Sequence, residues 1–206
     1  MKRQSIRHPK LFDNPEDAKD YATRHQKMGK MMGKKFVSKL VKMGFKKGKI
    51  LDIGTGPGVI PMVIINNFHQ AEAIGLDLSD PLLELARFNA KESGLSNRLT
   101  FEKGDAQDLH FEDDFFDVVI SLNTLHLVEN PIAMLNEVER VLKPTGILLL
   151  GDIRRSSFGY FMTILKTAYT LKECKKLVEK SNLRPCNFEK TLFWVFLSAC
   201  RSLESS

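Results

Sequence analysis

The sequence predicts a doubly wound α/β sandwich. Three observations carry this: an apolar run that breaks into closely spaced glycines, five strand-like runs alternating with helical segments, and a terminal apolar pair suited to a hairpin. The first is Lys49-Ile50-Leu51-Asp52-Ile53-Gly54-Thr55-Gly56-Pro57-Gly58. Ile50, Leu51 and Ile53 suit a buried parallel strand, and the glycines permit a tight turn with close backbone approach to a ligand. The spacing is GxGxG with an acid two residues before it, whereas a dinucleotide loop is expected to read GxGxxG. A plain glycine-rich turn and a dinucleotide site stand as alternatives to another cofactor loop.

At 206 residues, with 43% hydrophobic and 27% charged side chains, the chain suits one soluble domain with a sizeable core. Its longest apolar stretches, such as Thr191 to Cys200, fall short of the roughly 20 residues that a membrane-spanning helix needs. The basic start Met1-Lys2-Arg3 is followed by polar residues rather than the apolar segment of a secretory signal, so the cytoplasm is the expected location. Cys174, Cys186 and Cys200 are odd in number and share no CxxC spacing, which argues against disulfides and a metal site and for reduced thiols in or near the core. Charge is uneven: residues 1–50 carry 15 Lys/Arg against 4 Asp/Glu, and residues 51–150 carry 6 against 16. A basic stripe can attract nucleic acid, an anionic membrane surface or an acidic substrate. The alternative is the solvated face of one lysine-rich helix, since no aromatics interleave with the lysines.

Residues 15 to 43 read as a helix, with Asn14 as the cap, Pro15 at the first position and acids at Glu16 and Asp17 in the first turn. Met28, Met32, Phe36, Val37, Leu40 and Val41 form its apolar stripe. Gly29 and Gly33 each cost about 1 kcal/mol relative to Ala inside a helix, so a hinge or break is expected there. That makes residues 15–30 a candidate lid, and residues 1–45 a helical cap on a domain spanning 46–206. After the glycine loop, Val59 to Phe68 reads as a helix whose N-terminus faces the loop, offering free amides to an anionic group. Strand Ala71 to Leu76 ends in Asp77, nineteen residues after Gly58, where an acid that binds ribose hydroxyls is expected.

Ser79 and Asp80 precede Pro81 and a helix from Leu82 to Ser93 in an N-cap pattern. Strand Leu99 to Lys103 leads to Gly104-Asp105-Ala106, and the acids Glu112, Asp113 and Asp114 read as a solvated turn. Strand Phe115 to Ser121 ends at Leu122-Asn123-Thr124-Leu125-His126, on the edge where open α/β sheets place their chemistry. A helix over 130–142, a turn at Lys143-Pro144-Thr145-Gly146 and a fifth strand from Ile147 to Ile153 follow. Arg154 and Arg155 leave that strand on the same edge, ahead of Phe158, Tyr160 and Phe161. This connection is the candidate substrate wall, with Arg154 suited to a carboxylate or phosphate and Phe158 and Tyr160 to an apolar body. A surface arginine pair is the alternative. A helix from Leu171 to Ser181 and strands near 184–189 and 193–199 complete the chain.

Four of these segments together resemble the class I S-adenosylmethionine (SAM) dependent methyltransferases: the DxGxGxG string at Asp52 to Gly58, Asp77, Gly104-Asp105-Ala106, and Phe116-Asp117-Val118-Val119-Ile120-Ser121 through Leu125-His126. The last is most similar to the ubiquinone and menaquinone biosynthesis enzymes, but Leu127 stands where a second His often follows. The resemblance covers about residues 15–202. It implies a Rossmann-like, seven-stranded, mostly parallel sheet in the order 3-2-1-4-5-7-6 with strand 7 antiparallel. It further implies SAM as cofactor, held by Asp52, Gly54, Thr55, Gly56, Gly58, Asp77, Leu78, Asp105, Ala106 and Ser121. Asp77 would take the ribose and Asp105 the adenine amino group. The candidate catalytic residues are His126 as base or substrate partner, Asn123, and Tyr21 leaning over the cofactor. A packed His126 and an ordinary helix-surface Tyr21 are the structural alternatives.

No (Asp/Asn)-Pro-Pro-(Tyr/Phe) run is present, and the one Pro-Cys, Pro185-Cys186, comes too late in the chain for a cytosine C5 nucleophile. The leading expectation is therefore methyl transfer to a small-molecule acceptor. An RNA methyltransferase using the basic N-terminal segment and a non-catalytic SAM-binding module are the competing ones. The acceptor atom and the oligomeric state are left open.

Overall fold

A computed structural model describes residues 13–155 and 167–200. The chain alternates strands and helices around one sheet: α1 (Pro15–Lys42), β1 (Gly48–Ile53), α2 (Val59–Asn67), β2 (Ala71–Asp77), α3 (Asp80–Glu92), β3 (Leu99–Lys103), β4 (Phe116–Leu122), α4 (Pro131–Val141), β5 (Leu142–Ile153), α5 (Leu171–Lys180), β6 (Asn187–Lys190) and β7 (Trp194–Cys200). The sheet has seven strands in the order β3-β2-β1-β4-β5-β7-β6. β1 to β5 pair in parallel, and β7 runs antiparallel to both β5 and β6. This is the Rossmann-like sheet expected from the sequence.

The apolar runs of the central strands are continuous because both faces of the sheet are covered. Side chains alternate between two cores. Ile50, Val118, Ile120 and Leu149 pack beneath α1, α2 and α3. Leu51, Ile53, Val119, Leu148 and Leu150 pack against α4 and α5. Caps set the helix starts: the Asn14 side chain accepts from the Glu16 N–H, and Ser79 Oγ accepts from Leu82 N–H at 3.3 Å.

Helix α1 runs unbroken through Gly29 and Gly33, against the expected hinge. The two glycines mark a close approach to α2. An added Cβ would lie 3.0 Å from Val59 Cγ1 at position 29 and 2.8 Å from Val63 Cβ at position 33. The helix-propensity cost is accepted for contact, and Met32, Phe36 and Leu40 beside the glycines are buried in the first core.

Two further expectations are corrected. The Lys143 to Gly146 turn lies inside β5: Leu142 pairs with Phe116 and Ile147 with Val118, so the intervening residues bulge from the strand. Glu112, Asp113 and Asp114 are exposed, as expected, and Arg140 Nη1 donates to Asp113 at 2.8 Å while Arg140 also binds the Leu109 and Phe111 carbonyls. Cys174 is buried and Cys186 half-buried, but Cys200 is exposed rather than near the core. Burial pushes the Cys174 thiol up to about 12 and that of Cys186 to about 11, so neither is poised as a nucleophile. No described helix is long and apolar enough to cross a membrane, and no three metal-binding side chains converge among the described residues.

Candidate cofactor and acceptor cavity

Parallel strands deliver their carboxyl ends to one edge, so the residues that follow β1, β2, β3 and β4 meet there. They enclose a cavity of about 240 Å³. Of the residues expected from the sequence, it brings together Tyr21, Gly54, Gly56, Asp77, Leu78, Asp105, Ala106 and Asn123 on the lining. Asp52, Thr55, Gly58, Ser121 and His126 are not on the lining.

The glycine loop is shaped by its backbone. Gly54, Gly56 and Gly58 have φ of 73°, 54° and 74°, in the left-handed region that side chains disfavour. At Gly54 a Cβ would also collide with Thr124, whose hydroxyl donates to the Ile53 carbonyl at 3.1 Å. Ser121 Oγ donates to the same carbonyl at 2.9 Å, so Ser121 stitches β4 to β1. The loop is fastened to β2 as well, with Gly54 and Thr55 N–H both donating to the Leu76 carbonyl. Gly58 begins α2 and accepts from Met62 N–H at 3.2 Å.

Asp77 sits at the tip of β2 with one carboxylate oxygen accepting from Gly56 N–H at 2.8 Å and the other from Ser79 N–H at 3.0 Å. Burial nonetheless pushes its pKa up, opposed by these backbone bonds. Asp52, one strand over and 1% exposed, accepts from Thr55 Oγ1 at 2.8 Å. Burial pushes its carboxyl up to about 7, opposed by the Thr55 bond and reinforced by the charge of Asp77. Tyr21 on α1 lies across from the loop, its ring 4.2 Å from the stacked His25 ring. Burial and then the Asp77 charge raise its phenol pKa, so it stays protonated near neutral pH.

On the opposite wall Asp105 is braced by Gln107, whose backbone N–H donates to it at 2.9 Å and whose side-chain amide contacts both carboxylate oxygens at 3.0 Å. Gln107 Oε1 in turn accepts from Asn130 N–H at 2.7 Å, tying this loop to the start of α4. Asn123 adopts φ 59°, and its Oδ1 is buried without a hydrogen-bond partner. His126 is buried behind the wall. Its Nδ1 donates to Asp152 Oδ1 at 2.6 Å and its backbone N–H to Asp152 Oδ2 at 2.8 Å.

Arg154 does not reach the cavity. Its Nε and Nη2 donate to the Thr191 and Leu192 carbonyls at 3.1 and 3.0 Å, holding the β6–β7 turn. Arg155 is likewise engaged, with the Ala168 carbonyl and Glu173. Phe158 and Tyr160 lie outside the described residues. Sequence reasoning missed Asp13, Gln107, Glu129 and the buried Asp152. Asp152 carried a signal, an acid interrupting the Leu148 to Ile153 apolar run, whereas Glu129 and Asp13 read as ordinary loop acids.

A glycine-rich loop, an acid at the end of the next strand, a second acid just after the third and a cavity between them define a nucleoside-cofactor-binding α/β domain. The family described as "Methyltransferase domain" matches residues 45–192. A ubiquinone biosynthesis O-methyltransferase from Dinoroseobacter shibae is 29% identical over 167 residues, covering 72% of this chain and 65% of that protein. A sterol 24-C-methyltransferase from Aspergillus fumigatus is 34% identical over 128 residues, 62% of this chain but 31% of that protein. The chain thus spans from about a third to just under two thirds of these relatives' lengths. In fold it is similar to a SAM-dependent methyltransferase of Aquifex aeolicus, with a TM-score of 0.72, 18% identity, and coverage of 90% of this chain and 98% of that one. The chain belongs to the class I SAM-dependent methyltransferase family.

Proposed function

We propose that the chain transfers a methyl group from SAM to a small-molecule acceptor. The observation that carries this reading is Asp77, with its two oxygens oriented by the Gly56 and Ser79 amides at the mouth of the glycine loop. In this arrangement Asp77 holds the ribose hydroxyls, Asp105 accepts from the adenine amino group, and the loop from Gly54 to Gly58 takes the amino-acid portion. Asp52 contributes from behind the loop, Leu78 and Ala106 flank the base, and Thr55 and Ser121 fix the backbone. When bound, SAM supplies an electrophilic methyl on a sulfonium. The chain's task is then to align the acceptor and exclude water. Tyr21, Leu122, Leu127 and Val128 close the cavity around that position. Residues 1–45 act as a cap on the 46–206 domain in this reading, since Asp13 and Tyr21 reach the cavity from α1 and its approach.

A small acceptor is favoured by the size of the cavity, about 240 Å³, and by the ubiquinone and sterol methyltransferases among the relatives. The lysines of α1 are partly engaged elsewhere: Lys39 pairs with Glu189 at 2.6 Å and Lys35 lies 3.5 Å above the Phe196 ring. The test is to incubate the chain and methyl-labelled SAM with small-molecule and RNA fractions of a cell extract. Label in the small-molecule fraction is expected. Label confined to RNA, or binding to RNA that falls steeply with salt, would replace this reading with the nucleic-acid one.

A further inference from the structure

We propose that the chain docks on an anionic lipid bilayer through the tip of the β6–β7 hairpin and the adjoining lysine face of α1. This concerns where the chain works and is independent of the methyltransferase reading.

The hairpin tip is apolar, exposed and held in place. Leu192 and Phe193 are 54% and 48% exposed. Thr191 N–H donates to the Trp194 carbonyl and Arg154 N–H to that of Phe193, while the Arg154 guanidinium donates to the Thr191 and Leu192 carbonyls. All of these bonds run to backbone carbonyls, so the turn is fixed while its two apolar side chains stand in water.

Charge supplies the second observation. From residue 21 to residue 51 the chain holds ten Lys or Arg and no Asp or Glu. Lys27, Met31, Lys34, Ser38 and Lys42 recur on α1 at spacings of three and four, and all five are exposed, so they form one outward face. That face adjoins the hairpin: the neighbouring Lys35 lies 3.5 Å above the Phe196 ring, and Lys39 pairs with Glu189 of β6. Lys190, also exposed, carries the positive charge to the tip. Lys27, Lys34 and Lys190 form no ion pair among the described residues. Met31, 59% exposed, sets a further apolar side chain among the lysines.

A bilayer interface takes both features at once, with headgroup phosphates opposite the lysines and acyl chains around Leu192 and Phe193. A nucleic-acid backbone would neutralise the lysines and leave Leu192 and Met31 in water. A protein partner favours arginine, which pairs in bidentate fashion and is enriched at interfaces where lysine is depleted, whereas this face is built mainly of lysine. The tip stands on the carboxyl edge of the sheet, where the cavity lies, since Trp194 pairs with Ile153 at the end of β5. The docked chain therefore holds that edge toward the bilayer.

The test sediments the full chain with vesicles of equimolar phosphatidylcholine and phosphatidylglycerol, beside vesicles of phosphatidylcholine alone. Binding to the anionic vesicles is expected to be at least about tenfold tighter and to weaken with added salt. Trp194 is the chain's one tryptophan and neighbours Phe193, so its fluorescence reports on the tip, and brominated acyl chains are expected to quench it. Lys27→Gln with Lys34→Gln and Lys190→Gln should lower the affinity by about a hundredfold, at roughly fivefold per lysine. Leu192→Ser with Phe193→Ser should lower it by about tenfold or more. Unchanged melting temperatures show that both variants are folded. No binding to the anionic vesicles, equal binding to the two vesicle types, an unquenched Trp194, or an affinity indifferent to the tip change would overturn the inference. Tighter binding to RNA than to vesicles, by the wild type and the tip variant alike, would overturn it too and give the lysine face to nucleic acid. None of the five substituted residues lines the cavity, so S-adenosylhomocysteine binding by the same variants reads the methyltransferase proposal separately.

Discussion

Asp152 at the end of β5 grips His126 twice, through the ring Nδ1 at 2.6 Å and the backbone N–H at 2.8 Å, with both side chains at most 1% exposed. A third bond to Asp152 comes from Ile153 N–H at 2.8 Å. The pair ties the segment after β4, which forms one cavity wall, to the neighbouring strand. His126→Ala leaves the Asp152 charge buried with only backbone donors, a loss expected to cost about 3–5 kcal/mol of stability. Urea unfolding of both single variants and the double variant checks it. The double variant should lose less than the sum of the two, and strict additivity would show that the residues do not act as a unit.

Asp52 predicts a pH dependence of stability. Its folded-state pKa of about 7 lies above the ordinary value of 3.8, so between these values the native chain binds more protons than the unfolded one. Stability contributed by the protonated form is therefore full below about pH 4 and is lost as pH rises toward 7, by on the order of 4 kcal/mol in all. Asp52→Asn, which keeps an acceptor for Thr55, should raise the melting temperature of the ligand-free chain at pH 8 more than at pH 5. It should also weaken SAM binding. Equal shifts at the two pH values would contradict this account.

Gly33→Ala should destabilise the chain although Ala is the better helix former. The gain of about 1 kcal/mol in propensity is set against overpacking of about 1–3 kcal/mol, because the added methyl meets Val63 Cβ at 2.8 Å. Thermal unfolding beside the double variant Gly33→Ala/Val63→Ala reads this directly. Relief by the second change is the expected result.

Arg154→Ala should loosen the β6–β7 turn, since it releases the Thr191 and Leu192 carbonyls. The expected cost is about 1 kcal/mol, with SAM binding unchanged. Weaker SAM binding by the folded variant, measured by calorimetric titration, would return Arg154 to the cavity.

The five parallel strands were legible because each apolar run is bounded at one end at least by glycine, proline or an acid. The Asn14 and Ser79 caps were legible because their hydrogen bonds are local. Gly29 and Gly33 misled for the opposite reason: a propensity counts the cost within one helix, whereas their benefit lies in a second helix, at Val59 and Val63. Arg154 misled similarly, since its direction at the sheet edge depends on a turn 37 residues later. That Gly54, Gly56, Asp77 and Asp105 meet on one cavity was readable from motif spacing. Asp13 and Glu129 were not, because only the folded chain carries two separate loop acids to one opening.

The central claim is that the Asp77 mouth of the glycine loop holds SAM. Calorimetric titration of the wild type and Asp77→Ala with SAM tests it most directly, with the variant's melting temperature recorded beside the wild type's. The account predicts binding by the wild type and its loss, by about a hundredfold or more, in a variant that remains folded. Absence of binding by the wild type, or undiminished binding by the folded variant, would contradict it.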